Sequence, residues 1–164
     1  MVQAFIGLGA NLGDAAVALR QARAAIDGLP LTRVSKTSGV YKSAPLNTDF
    51  AHEQPAEGGD YLNAVLAVET GLIAPLLLAH LQQIEHSAGR ERPYRNAPRT
   101  LDLDLLLYGD AQMQSAGLTL PHPRMLQRAF VLVPLAEIAP ERVSAGQLQA
   151  LRHQAIERIG DLLG

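Results

Sequence analysis

The chain has no cysteine and no tryptophan. Without thiols there is no disulfide framework, no thiolate metal site and no cysteine nucleophile. Basic charge is not in excess: the formal net charge is -2, which leaves no broad electrostatic footprint for nucleic acid. Aromatic residues are few, three Phe and four Tyr, and they are scattered rather than interleaved as a base-stacking platform. No apolar run approaches the ~18 residues that span a bilayer. The opening residues, Met1 to Gly9, lack a basic region and pass straight into a strand pattern, so a cytoplasmic setting is expected. Nowhere does a G-x-x-x-x-G-K-[ST] loop occur, which excludes a P-loop nucleotide site. What remains is an ordinary globular composition, 48% hydrophobic and 18% charged over 164 residues, long enough for one domain (1–164) with a real core.

The most informative stretch is Pro98-Arg99-Thr100-Leu101-Asp102-Leu103-Asp104-Leu105-Leu106-Leu107-Tyr108. It alternates and then becomes solidly apolar, the pattern of a strand buried toward its C-terminal end. Residues two apart on a strand share a face, so Asp102 and Asp104 point the same way, roughly 7 Å apart, with Leu101, Leu103 and Leu105 on the other face. Two such carboxylates repel unless a cation relieves them. Hard oxygen donors in a pair suit Mg²⁺, which borrows its other ligands from water and phosphate. A solvated strand face is the plain alternative. Just upstream, residues 90–99 hold four of the fourteen Lys and Arg, with two prolines and an Asn that disfavour helix or central strand. An arginine-rich loop leading into a diacid strand supplies both halves of a site for metal-bound polyphosphate, because guanidinium groups fork onto phosphate oxygens. A charged solvent loop is the alternative there.

Val2 to Leu8 reads as a first strand. Gly7, Gly9 and Gly13 then suggest a tight strand-to-helix turn that lets a ligand approach the backbone. Asp14 is the expected N-cap of a helix whose apolar stripe is Val17, Leu19, Ala22, Ile26 and Leu29, stopped by Gly28 and Pro30. Residues 31–42 read as one second strand, and 43–60 as a long loop of the kind usually functional or disordered. Tyr61 to Glu69 is a third strand, with Leu62, Ala64, Leu66 and Val68 on one face and Tyr61 and Asn63 on the other. A second helix begins near Pro75 and ends at Gly89, with Leu76, Leu77, Ala79, His80, Leu81, Ile84 and Ala88 on its apolar side. Gln82 and Glu85 are neighbours on its surface, near the arginine loop or simply facing solvent. Gly109-Asp110 is a turn. His122, held between Pro121 and Pro123 with Arg124 and Arg128 behind it, is either structural or a phosphate contact. Val131 to Ile138 is a short apolar helix or strand, and 147–163 a final amphipathic helix with Leu148, Leu151, Ile156, Ile159 and Leu163 inward. Through residue 108 the order is β-α-β-β-α-β. The fold class is therefore α+β: a ferredoxin-like core, an antiparallel sheet with helices packed on it, plus C-terminal additions.

Taken together, Pro98-Arg99-Thr100-Leu101-Asp102-Leu103-Asp104, Leu120-Pro121-His122-Pro123 with Arg128 and Phe130, the opening Gly-Leu-Gly-Ala-Asn-Leu-Gly and the Asp60-Tyr61-Leu62-Asn63 block resemble the 6-hydroxymethyl-7,8-dihydropterin pyrophosphokinases of folate biosynthesis. The resemblance runs from about residue 3 to residue 143. It implies transfer of the diphosphate of ATP to the pterin hydroxymethyl oxygen, releasing AMP. It also implies that Asp102 and Asp104 hold two Mg ions and, with Arg90 and Arg92, form the catalytic set. Gln82, Glu85, Arg90, Arg92, Arg95, Arg99, Thr119, His122 and Arg128 match positions that contact ATP. Ser43, Ala44, Leu46, Tyr61, Asn63 and Phe130 match the pterin pocket. The implied partners are these small molecules, for a monomer with no nucleic-acid or membrane partner. Asn96-Ala97 stands where the family often carries Trp-Gly, Ser43-Ala44 replaces a common Thr-Pro, and 47–60 is longer than in compact relatives. Three rivals make other demands: an RNA-binding module needs exposed strand aromatics, a two-metal nuclease needs a basic groove, and a regulatory ligand-binding domain would release no AMP.

Overall fold

Apolar residues recurring at every second position dominate three long stretches of this chain, and each forms a strand of one sheet. The computed structural model describes residues 1–11, 14–43, 46–47, 54–55, 61–89 and 101–162, of which 46–47, 54–55 and 89 by backbone alone. In chain order the elements are β1 (Val2–Ala10), α1 (Ala15–Asp27), β2 (Thr32–Thr37), β3 (Gly39–Ser43), β4 (Leu46–Asn47), β5 (Gln54–Pro55), β6 (Tyr61–Thr70), α2 (Ala74–Gly89), β7 (Asp102–Tyr108), β8 (Met113–Gln114), β9 (Thr119–Leu120), α3 (Ala129–Ile138), α4 (Ala145–Ala150) and β10 (Ile156–Asp161). The main sheet is ordered β10-β3-β6-β1-β7, with β2 continuing along the same edge of β6 as β3, and every pairing is antiparallel. This is the expected ferredoxin-like core with a strand added at one edge.

One sheet face buries Ala4, Ile6 and Leu8 of β1, Ala64, Leu66 and Val68 of β6 and Leu103 and Leu105 of β7. It packs against Leu19, Ala22 and Ile26 of α1 and Leu77 and Leu81 of α2. The opposite face buries Phe5, Val65, Ala67, Leu106 and Leu107 beneath Val131, Leu132, Leu135 and Ile138 of α3. A sheet covered on both faces explains why β6 is apolar on both sides over most of its length. A bulge opposite Phe5/Ile6 turns both Leu106 and Leu107 toward α3.

Several elements differ from their sequence reading. The single strand expected over 31–42 is two strands, because Ser38 interrupts the ladder. Its Oγ accepts from the Val65 amide at 2.9 Å while its own amide donates to the Val65 carbonyl at 3.0 Å. Gly7 and Gly9 lie inside β1, not in a turn. Asp14 sits at the N-cap position without a side-chain cap bond, and Val17 is exposed. On α2, Leu76 is exposed while Leu77 and Leu81 are fully buried. The apolar segment 131–138 is helical despite Pro134 inside it, since six of the ten residues of α3 are buried and tertiary packing outweighs the proline penalty. The helix expected over 147–163 is instead α4, capped by a reciprocal Ser144–Gln147 box, followed by β10. The open edge of β3 offers ladder hydrogen bonds to Ile156 through Asp161, and that pairing overrides the helical spacing. Leu163 lies outside the described residues. Among the described residues, no helix is long and apolar enough to cross a membrane.

Candidate active site

Antiparallel pairing brings the C-terminal ends of β1 and β3 and the N-terminal ends of β6 and β7 to one end of the sheet. On the face that α3 covers elsewhere, register aligns side chains from four strands. Tyr41 pairs with Asn63, Asn63 with Gly9, and Gly9 with Asp102. In the next row Val65 pairs with Gly7 and Gly7 with Asp104. Asn63 on β6 and the two acids on β7 are thus separated by a strand bearing two glycines. The bare strip is close-fitting: a Cβ on Gly9 would stand 3.3 Å from Asn63 Oδ1, and one on Gly7 would stand 3.4 Å from Leu106 Cδ1.

The acids are oriented as the alternation requires. Leu101, Leu103 and Leu105 are buried on the opposite face, while Asp102 and Asp104 are half-buried on this one. β7 is the edge of the sheet, and two groups cap its outer side. Glu85 Oε2 on α2 accepts from the Leu103 amide at 2.7 Å, and the His122 amide donates to the Leu106 carbonyl at 2.9 Å. These bonds hold Glu85 and His122 along the same edge as the acids, and His122 Nε2 lies 3.9 Å from Asp104 Oδ1. His122 Nδ1 accepts from the Arg124 amide at 3.2 Å, which leaves Nε2 to carry the proton of the neutral ring. Burial holds this imidazole below the usual histidine range; Asp104 pulls the other way, and Arg128 and Arg124 push it further down. Thr119 lies in the short strand β9, three residues before His122, whereas Gln82 is exposed on α2.

Toward β3 the surroundings are less charged. Asn63, buried, donates from Nδ2 to Ser43 Oγ at 2.8 Å, with a longer approach of 3.5 Å to the Tyr41 carbonyl. Its Oδ1 is thereby turned toward the glycine strip. Tyr61 is half-buried opposite Ser43. Phe130, on the first turn of α3, is half-buried at the margin of the same face, and the Arg128 guanidinium lies 5.4 Å from its ring centroid. Behind this region the Tyr41 hydroxyl donates to Glu137 at 2.5 Å, and Glu137 also accepts from the Gly39 amide and, at 3.4 Å, from Arg158.

The structure therefore brings together Asp102, Asp104, Glu85 and His122 at one edge, and Ser43, Asn63 and Tyr61 across the glycine strip. Leu46 is described by backbone, paired with Pro55. Ala44, Arg90, Arg92, Arg95 and Arg99 lie outside the described residues. The sequence reading missed Gly7 and Gly9 as part of the sheet face, and missed Tyr41. Extending the alternation of β1 by two residues would have placed both glycines opposite the core side.

The fold has counterparts among solved structures. An HPPK-DHPS crystallised in complex with substrates superposes with a TM-score of 0.69 at 13% identity, covering 96% of this chain and 46% of that one. The wild-type Plasmodium falciparum HPPK-DHPS with SDX-DHP gives 0.62 at 15%, covering 93% and 43%. At such identities the likeness establishes the fold, and this chain spans just under half of those longer chains. Sequence relatives carry it further. The 2-amino-4-hydroxy-6-hydroxymethyldihydropteridine pyrophosphokinase of Haemophilus influenzae is 46% identical over 143 residues, 87% of this chain and 85% of the relative. That of Pseudomonas aeruginosa is 41% identical over 162 residues, 94% and 95% of the two chains. These relatives define the class, an ATP-dependent diphosphotransferase. The family model of 7,8-dihydro-6-hydroxymethylpterin-pyrophosphokinase (HPPK) matches residues 5–140, and the chain belongs to that family of folate-biosynthesis pyrophosphokinases.

Proposed function

We propose that this chain transfers the diphosphate of ATP to the hydroxymethyl oxygen of 6-hydroxymethyl-7,8-dihydropterin and releases AMP, with Asp102 and Asp104 holding two Mg²⁺. The observation that carries the reading is the layout of one sheet face: two acids on β7, a side-chain-free strip on β1, and Asn63 with Ser43 on β6 and β3. A polyphosphate over β7 and a flat heterocycle over β6 and β3 would meet above Gly7 and Gly9. In the transfer, the pterin oxygen bonds to the β-phosphorus, the bond from that phosphorus to the oxygen bridging toward the α-phosphate breaks, AMP departs, and the hydroxyl proton passes to solvent. Such a reaction needs alignment and charge neutralisation more than a strong base.

The donor set fits magnesium. Asp102 and Asp104 offer hard oxygens from one face, and the Asp104 side chain retains 42% of its exposure. Two carboxylates leave most of an octahedral shell to phosphate and water, as is usual for Mg²⁺. Held by Asp102 and Asp104, Mg²⁺ would neutralise phosphate charge and help align the attacking oxygen. His122 presents its Nε2 proton beside Asp104 and donates it as a hydrogen bond to a phosphate oxygen of the nucleotide. Glu85 fixes the β7 edge beneath the nucleotide, and Thr119 and Gln82 extend the same contact. Arg90, Arg92, Arg95 and Arg99 neutralise the departing charge, with Arg128 at the margin. Ser43, Asn63, Tyr61 and Phe130 hold the pterin, Ser43 by fixing the Asn63 amide, with Ala44 and Leu46 as the adjoining wall. Both substrate regions lie on one sheet, in one domain over residues 1–164 that acts as a monomer. A cytoplasmic setting supplies the ATP.

The test is incubation with Mg-ATP and hydroxymethyl-dihydropterin, with nucleotide products resolved by chromatography. AMP in step with pterin diphosphate is expected; ADP, or no turnover, refutes the reading. Asp102→Ala and Asp104→Ala are each expected to lower kcat by roughly 10²–10³-fold or more while circular dichroism and melting stay near wild type. Near-normal turnover by either would overturn the metal assignment.

A further inference from the structure

Helix α3 is apolar on more sides than contact with the sheet requires. Val131, Leu132, Leu135 and Ile138 belong to the core beneath it. Ala129, Val133 and Ala136 recur at i, i+4 and i+7 on a different stripe and form one wall of a groove. Leu148 of α4, Leu151 just after it and Ile156 at the start of β10 supply the other walls. The groove encloses about 500 Å³, inside the range of small-molecule sites, roughly 300–1,000 Å³. It is held open by Gln154. Its Oε1 accepts from the Ala129 amide at 2.9 Å and its Nε2 donates to the Gln127 carbonyl at 2.8 Å, so the segment after α4 is pinned to the start of α3. None of the residues lining the groove belongs to the candidate active site.

We propose that this groove is a second ligand site, separate from the substrate face, for a small amphipathic anion: a carboxylate carried on an apolar body. The walls set the body. Apolar side chains around a water-filled groove gain by exchanging that water for apolar surface. The charge is set by Arg152. Among the described residues it is the one charged side chain of the lining, it is exposed, and its guanidinium has no described partner. A guanidinium fork matches a carboxylate with two parallel hydrogen bonds, which a neutral ligand cannot return. The other polar lining residue, Gln154, has both ends of its amide committed, so it offers the ligand little and leaves the head group to Arg152. The proposal goes beyond the pyrophosphokinase reading and does not depend on it.

The experiment is a methyl NMR titration of the full chain with naphthoate, an aromatic carboxylate, with decanoate, an aliphatic one, and with naphthamide, the neutral counterpart of the first. At least one carboxylate is expected to give saturable shifts at the methyls of Val133, Leu148, Leu151 and Ile156, and which of the two binds more tightly tells an aromatic from an aliphatic body. Arg152→Gln changes an exposed side chain and should melt like wild type. It is expected to raise the carboxylate Kd by about five-fold, the upper range for a partly exposed ion pair, while leaving naphthamide within two-fold. Ala136→Trp fills the groove and is expected to remove the shifts for every ligand. No saturable shift with either carboxylate overturns the proposal. So does naphthamide binding as tightly as naphthoate, or an unchanged Kd in Arg152→Gln. Ligand shifts centred on Asn63 and Phe130 in place of the groove would assign the anion to the substrate face. Shifts at the groove methyls that follow protein concentration without ligand would make a second copy the occupant, and would likewise overturn it.

Discussion

Gly9 stands between Asn63 and Asp102 in one cross-strand row, and its lack of a side chain is what leaves the two sides of the site in communication. An added Cβ would sit 3.3 Å from Asn63 Oδ1, tight enough to displace the amide that Ser43 orients. Alanine also restores roughly 0.5–1 kcal/mol of strand preference that glycine forgoes. Gly9→Ala is therefore expected to raise the KM for the pterin by about ten-fold while the melting temperature changes little. Gly7→Ala meets Leu106 Cδ1 at 3.4 Å, an ordinary contact that leaves Asn63 undisturbed, so it should melt like wild type and raise the KM for the pterin less than Gly9→Ala does. Steady-state kinetics on the two variants separates a spacing role from a generic loss of flexibility. At this scale the acids were legible in the sequence because period-two alternation fixes the face of Asp102 and Asp104 whatever lies next to them. The glycines were harder to read, since glycine signals turns locally and the alternation of β1 had to be carried on to Ala10 to keep them in the strand.

Among the elements, β7 is an edge strand carrying the acids, and Glu85 and His122 stand where a further strand would pair. Removing Glu85 leaves the Leu103 amide without its carboxylate. Glu85→Ala is expected to cost about 1–3 kcal/mol in denaturant unfolding and to speed hydrogen exchange at Leu103 more than at Leu105. The opposite edge is closed by β10, which no local pattern revealed. Residues 147–163 have helical spacing, whereas the pairing of Arg158 with Tyr41 joins positions far apart in sequence. That junction has a pH signature. Burial, reinforced by the hydrogen bond and charge of Glu137, pushes the Tyr41 hydroxyl up to about 12. For Glu137, burial acts upward but is outweighed by the hydrogen bonds from Tyr41, Gly39 and Arg158, so its carboxyl is held below the usual range. The tyrosine contribution is thus complete below pH 10 and is lost as pH climbs from 10 to about 12; the Glu137 contribution is complete above the ordinary carboxylate range and is lost in acid. Tyr41→Phe is expected to cost about 1–2 kcal/mol at pH 7 and to flatten the alkaline limb of stability. Urea unfolding at pH 7 and at pH 11 checks both, and an unchanged alkaline fall in the variant would place the titration elsewhere.

At the scale of the molecule, the two cores share one sheet, and the acids and Asn63 lie at the end of that sheet rather than in a separate lobe. Ligands on this surface should therefore stabilise the whole fold, because β1, β6 and β7 belong to both cores. A ligand at about a hundred times its Kd contributes roughly 2.7 kcal/mol, which for a domain of this length corresponds to about 5–11 °C in melting temperature. Mg²⁺ with a non-hydrolysable ATP analogue is expected to produce a shift of that order, and hydroxymethyl-dihydropterin to add to it. In Asp104→Ala the analogue's shift should become independent of Mg²⁺ and shrink, since phosphate can no longer complete a coordination shell on the pair. Melting curves with Mg²⁺ and with chelator, for both proteins, decide the matter. Were the Asp104→Ala protein to show the same Mg²⁺-dependent rise as wild type, the cation would bind away from β7, and the division of this face into an acid side and a pterin side would lose its physical basis.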